Sequence, residues 1–137
     1  TYGGRLNDAD DIRKNVLDFK KPVFVFVNKN AASAGAMISI ACGSIYMAPG
    51  ASMGAATVVN GGDGTAMPDK YQSFMRSLMR TTAQTNHRDP RIAEGMVDEE
   101  MEIDSIKPLG RVITLTPAEA IRYGYCEGQV NSVEELL

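Results

Sequence analysis

Apolar positions change their spacing several times along this chain, and each change marks an element. From Arg5 to Lys21 they fall at Leu6, Ile12, Val16, Leu17 and Phe19, with Asp8, Asp10 and Asp11 at the start and Lys20-Lys21 at the end. This is an amphipathic helix whose charges match its dipole, and Pro22 stops it. The run Pro22–Val27 is apolar at every position, which predicts a strand buried on both faces of a parallel sheet. Asn30-Ala31-Ala32-Ser33-Ala34-Gly35 follows, and then Ala36–Cys42, apolar and long enough for two helical turns. The pattern predicts a strand-to-helix corner where one hydroxyl, that of Ser33, stands among small residues.

Ser44–Ala48 reads as a second short buried strand, ended by Pro49-Gly50. Ala51–Val59 is small and apolar and reads as a loop followed by a short strand. Asn60–Gly64 is a flexible glycine loop. It lacks the strand–Gly-x-x-x-x-Gly-Lys–helix context of a phosphate loop, so it is given no phosphate role. A long helix is predicted over Asp69–Thr85, with Tyr71, Phe74, Met75, Leu78 and Met79 at spacings of three and four. A Met-rich stripe of this kind is expected to be core or subunit interface rather than a binding groove. Asp89-Pro90 opens another helix with Ile92, Ala93, Met96 and Val97 inward. Arg111–Leu115 reads as a strand. Thr116-Pro117-Ala118-Glu119 is a capping box with proline at the first helical position, and Gly124 ends that helix. Cys126–Val130 reads as a strand and Ser132–Leu137 as a last helix. The alternation predicts an α/β layered fold of short, largely parallel strands.

Composition narrows the function classes. Of 137 residues, 44% are apolar, enough to build a core, and one domain over 1–137 is expected. A net charge of −3 gives no nucleic-acid surface. The two cysteines, Cys42 and Cys126, are too few for a disulfide framework and read as core. No residue between Asn30 and Gly62 is charged, but Gly43, Pro49, Gly50 and Gly54 break that stretch. It therefore reads as buried core with tight turns and not as a membrane span, which needs roughly 20 mainly apolar residues. Thr1-Tyr2-Gly3-Gly4 reads as a turn with no strand before it, so a fragment is expected. No pattern in the chain calls for a metal ion or a cofactor.

Ser33 is the candidate nucleophile, and a serine hydroxyl needs a base to take its proton. The only histidine, His87, sits beside Arg88 and Asp89 in a polar helix–helix junction, so it is expected to be exposed and no Ser-His-Asp triad is supported. Of the six lysines, Lys14, Lys20 and Lys21 belong to the charged first helix. Lys29 lies in the approach to Ser33, and Lys107 in a charged linker. Lys70 differs, because it opens the apolar helix just after the glycine loop and Pro68. A basic lysine must be neutral, which burial and a helix N-terminus both favour. A tetrahedral intermediate also needs N–H donors. Ala34, directly after the nucleophile, is one candidate, and the Gly3-Gly4 turn is the other because it lets backbone approach a ligand closely. Ser52, after a Pro-Gly turn, ranks as a supporting or structural serine.

With these residues assembled, the chain resembles the ClpP/crotonase-fold serine peptidases. It is most similar to the NfeD-type membrane-bound serine proteases (ClpP class), and more distantly to signal peptide peptidase A. The resemblance runs along the whole chain. It rests on Thr1-Tyr2-Gly3-Gly4-Arg5, Ala31–Gly35, Tyr46–Gly50 with Met53–Ala56, and Leu115–Ala120 with Tyr123-Gly124. It implies a Ser–Lys dyad at Ser33 and Lys70, with oxyanion donors at the Gly3-Gly4 turn and Ala34. It also implies a strand–helix–strand before the glycine turn, membrane helices outside this chain, and a homo-oligomer of at least two copies. Tyr2 stands where the family has proline. The expected activity is a serine endopeptidase cutting extended apolar segments, such as those of membrane proteins. The rivals are a crotonase-type acyl-CoA enzyme and an inactive scaffold of the same fold.

Overall fold

The computed structural model describes residues 1–137. Its strands form two small sheets. In one, β1 (Phe24–Val27), β3 (Ser44–Met47) and β6 (Gly128–Gln129) run parallel in the order β1-β3-β6, with Phe24 opposite Ser44 and Tyr46 opposite Gly128. In the other, β2 (Asn30–Ala32) pairs parallel with β4 (Ser52–Gly54), Asn30 opposite Ser52, and β5 (Thr114–Leu115) runs antiparallel to β4. Six helices alternate with the strands: α1 (Leu6–Asp18), α2 (Ala34–Ala41), α3 (Asp69–Thr85), α4 (Pro90–Gly95), α5 (Pro117–Arg122) and α6 (Val133–Leu136). The predicted α/β layering with mainly parallel strands is what forms.

The molecule is built around α2. Every residue of α2 except Ile38 is buried, as a helix apolar on all sides must be, and α1 and α3 pack on it. Gly35, in its first turn, is pressed by the start of the chain: a β-carbon there would lie 2.3 Å from Thr1 Cγ2. The last carbonyls of a buried helix need partners, and the segment after α3 supplies them. Asn86 Nδ2 donates to the carbonyls of Ile40 (2.8 Å) and Ala41 (3.0 Å). Arg88 Nη1 donates to those of Ile40 (2.9 Å) and Cys42 (3.0 Å), and Nη2 to that of Gly43 (3.2 Å). Arg88 is buried; burial pulls its guanidinium pKa down, against the charge of Glu127. A cation here also complements the helix dipole.

Several expected elements shift. The apolar strand β1 is not covered on both faces: it is an edge strand, and Phe24 is exposed. Ser33 does not follow β1 directly. The chain turns at Asn28-Lys29, crosses to the second sheet as β2, and only then reaches the corner. In Ala51–Val59 the strand comes first, as β4, because the backbone of Ser52–Gly54 is needed to pair with β2. Only Thr114-Leu115 of the expected strand Arg111–Leu115 is strand; the Ile113 N–H is taken by the Gly95 carbonyl and its carbonyl by the Ala55 N–H. Lys107 is not in an open charged linker. It is buried, and its ammonium donates to the carbonyls of Glu99, Met101 and Pro108, tying that loop together. The capping box at Thr116 and Glu119 forms as expected.

Candidate active site

β2 ends at Ala32 and α2 begins at Ala34, so Ser33 alone makes the corner. Its φ of 54° and ψ of −117° lie where a residue with a β-carbon seldom goes. Such strain costs about 1–3 kcal/mol and persists only where neighbours impose it. Here the Ser33 N–H donates to the Gly54 carbonyl at 3.0 Å, the Ala32 N–H donates to the Thr1 carbonyl at 3.0 Å, and the Ser33 carbonyl accepts from Ala36 and Met37 to start α2. The Ser33 hydroxyl makes no capping hydrogen bond. A serine serving only as an N-cap would make one.

The half-buried Ser33 opens onto a cleft of about 1050 Å³ whose lining also includes Gly3, Gly4, Ala34 and Lys70. The fold thus brings five of the six sequence-predicted site residues to one cavity. Ser52 does not line it; it pairs with Asn30 in the sheet behind. The walls are mainly apolar, with Leu6, Val58, Met67, Tyr71, Phe74 and Met75 among them, and Arg5 and Lys70 are the charged residues of the lining. The α3 stripe therefore divides: Met75 and Met79 are buried, while Tyr71 and Phe74 face the cleft, which the core-or-interface expectation missed.

On the other side of Ser33 stands the glycine turn. Gly3 has φ +126°, and a β-carbon on it would meet Ser33 Cβ at 3.0 Å and Ser33 Oγ at 3.4 Å. Its N–H is engaged by Thr1 Oγ1 at 3.2 Å. The Gly4 N–H has no partner within the chain, and the Ala34 N–H, first in its helix, has no intrahelical acceptor. Gly3 supplies the close approach, and Gly4 and Ala34 hold free donors.

Lys70 is the second residue of α3 and stands exposed at the rim, with Nζ 5.1 Å from the centre of the Tyr71 ring. The burial expected of it is absent in the open cleft, because the first turn of α3 ends at the edge of the wall. His87 lies past the other end of α3, exposed, at φ 59°, and away from the cleft. Sequence reasoning missed the supports of Ser33. Gly54 is one: a β-carbon there would lie 2.2 Å from the Ile113 carbonyl oxygen. Its signal was visible, since a glycine inside a strand marks close backbone approach. Thr1, whose carbonyl accepts the Ala32 N–H, gave no such signal.

The family described as NfeD1b, N-terminal domain, matches residues 1–137. This chain belongs to that family. It is 38% identical over 138 residues to the membrane protein NfeD1b of Bacillus subtilis, covering all of this chain and 31% of that protein. It is 31% identical over 144 residues to the membrane-bound protease PH1510 of Pyrococcus horikoshii, again covering all of this chain and 30% of the relative. The chain thus spans about a third of the length of both relatives. Among solved structures, a membrane-bound stomatin-specific protease carrying a serine-to-alanine replacement superposes with a TM-score of 0.82 at 29% identity, over 99% of this chain and 63% of that one. A lysine-to-alanine mutant of the same protease, in complex with a substrate peptide, also gives 0.82 at 29% identity, over 98% and 59%. ClpP1 from Listeria monocytogenes gives 0.65 at 17% identity, over 99% and 72%, which establishes the shared fold. The NfeD-type, ClpP-like expectation is met. No helix of the chain is long and apolar enough to cross a membrane.

Proposed function

We propose that residues 1–137 form a ClpP-like serine protease domain, with Ser33 as nucleophile and Lys70 as its base. The carrying observation is the uncapped Ser33 hydroxyl, held in a strained corner and sharing one cleft with Lys70 and the Gly3-Gly4 turn. Ser33 Oγ attacks a peptide carbonyl carbon and its proton passes to a neutral Lys70 Nζ. The developing oxyanion takes hydrogen bonds from the N–H groups of Ala34 and Gly4, with Gly3 giving the room. Lys70 then returns the proton to the leaving amine, and water releases the acyl group from Ser33 by the reverse route.

The apolar walls suit extended apolar segments, including those of membrane proteins. Related proteins that are membrane-bound, one a protease, support this reading, as do the two solved protease structures in which a serine and a lysine were chosen for replacement. The cleft lining holds no carboxylate, which weighs against a crotonase-type acyl-CoA enzyme. Attachment to the membrane through segments outside this chain, and assembly of at least two copies, belong to the same proposal.

The test is a fluorophosphonate probe, which forms a covalent phosphonyl–Oγ bond with release of fluoride, together with cleavage of an apolar peptide. Ser33 is expected to be the labelled residue. Ser33→Ala should abolish both labelling and cleavage, and Lys70→Ala should slow both by about 100-fold or more near neutral pH. Cleavage by Ser33→Ala at the parent rate overturns the proposal.

A further inference from the structure

Two residues beyond Lys70, the Gln72 side chain ties three separate backbone groups together. Its Nε2 donates to the carbonyls of Val58 (2.7 Å) and Met67 (3.0 Å), and its Oε1 accepts the Val58 N–H at 2.9 Å. Val58 and Met67 are the two legs of a hairpin. The Met67 N–H donates to the Val58 carbonyl at 3.0 Å, Val59 and Ala66 pair antiparallel, and Asn60 closes the tip by donating to Thr65 (2.7 Å) and accepting from Gly64 (2.8 Å). Val58, Val59, Gly61 and Met67 line the cleft.

This wall is weak by itself. A lone two-stranded hairpin is marginal in water, and this one carries Gly61, Gly62 and Gly64, each costly in conformational entropy to order. The Gln72 amide engages both polar groups of Val58, as a neighbouring strand would, and reaches the second leg as well. Between Met67 and Gln72 lie only Pro68, Asp69, Lys70 and Tyr71. Lys70 therefore sits inside a short loop that the Gln72–Met67 bond closes.

We propose that Gln72 is a positioning residue for Lys70: its amide locks the 58–67 hairpin and the first turn of α3 into one rigid wall that presents Nζ to Ser33. This rests on the Ser33–Lys70 reading above. Gln72 acts through Lys70 and touches no reacting atom. Misplacement of a catalytic group by about 1 Å can cost about 100-fold in rate, so the effect is measurable.

The experiment is the rate of fluorophosphonate labelling of Ser33 from about pH 6 to about pH 11, a range that includes the ordinary titration of a lysine amine. It compares the parent with Gln72→Leu, Gln72→Glu, Lys70→Ala and the Gln72→Leu/Lys70→Ala double variant, with the Tm of each. The parent rate should rise to a plateau. Gln72→Leu should label about 30-fold more slowly and, like Lys70→Ala, climb with hydroxide without a plateau. Gln72→Glu keeps the acceptor for the Val58 N–H and loses both donations, so it should fall between. Adding Gln72→Leu to Lys70→Ala should change the rate less than about twofold, since both act on one step. General weakening of the fold would lower the Tm and the labelled fraction but leave the profile's shape intact. A Gln72→Leu profile with the parent's shape, or a loss in the Lys70→Ala background as large as in the parent, overturns the inference. A parent whose Ser33 is unlabelled at every pH instead overturns the dyad reading itself.

Discussion

Gly3 lies against Ser33 with no room for a side chain: a β-carbon on Gly3 would stand 3.0 Å from Ser33 Cβ and 3.4 Å from its Oγ. Gly3 also holds φ +126°, which L residues rarely adopt. Gly3→Ala must displace the turn and with it the Gly4 N–H. Labelling of Ser33 should fall by about 100-fold, the usual cost of losing one oxyanion donor. The turn is exposed, so the Tm should change little. Labelling at the parent rate would remove the turn from the site.

Gly54 carries the acceptor for the Ser33 N–H and packs its α-carbon against β5. Gly54→Ala would place a β-carbon 2.2 Å from the Ile113 carbonyl oxygen and 2.8 Å from Thr114 Cα, at φ +145°. Backbone strain and overpacking together should cost roughly 3 kcal/mol, a fall in Tm of about 10 °C for a chain of this size. Thermal unfolding followed by circular dichroism measures it.

Arg88 clamps the far end of the helix that Ser33 begins. Arg88→Leu leaves the Gly43 carbonyl without its donor and weakens the hold on those of Ile40 and Cys42. A loss of about 2–3 kcal/mol is expected; Asn86→Ala likewise leaves one carbonyl, that of Ala41, without its donor, but should cost less because hydrogen bonds from a neutral amide contribute less than those from a charged guanidinium. Urea unfolding at constant m-value separates the two.

Tyr125 sets an alkaline limit. It is fully buried, with its hydroxyl donating to the Asp89 carbonyl, and burial first, then the Asp89 charge, raises its pKa. Burial raises the thiols of Cys42 and Cys126 in the same direction. A folded-state pKa above the unfolded one gives stability that is complete below the unfolded value and is lost as pH rises past it. Stability should therefore begin to fall above about pH 8.5, where thiols of the unfolded chain ionise, and fall further above about pH 10, where its tyrosine does. Tyr125→Phe should start less stable, by about 1 kcal/mol for the missing hydrogen bond, and should lose less on going to alkaline pH. Equal alkaline slopes in the two proteins would assign the limit elsewhere.

What could be read along the chain were features with local causes. The span of α3 follows from apolar spacing, the start of α5 from a capping box, and the corner at Ser33 from one hydroxyl among small residues before an apolar helix. Local pattern says nothing about which surfaces face each other, so other features were out of reach. The sequence by itself determined the layered α/β class, the nucleophile candidate and the exclusion of His87. Only the tertiary structure decided that β1 is an edge, that Lys107 is buried, that Lys70 stands exposed at the rim, and that Gly54, Thr1 and Gln72 support the corner and the wall. The reason is physical: most of these depend on contacts between residues well separated along the chain, such as Ser33 with Gly54 and Val58 with Gln72, or on the space left where elements meet, whereas periodicity and caps act within a few residues.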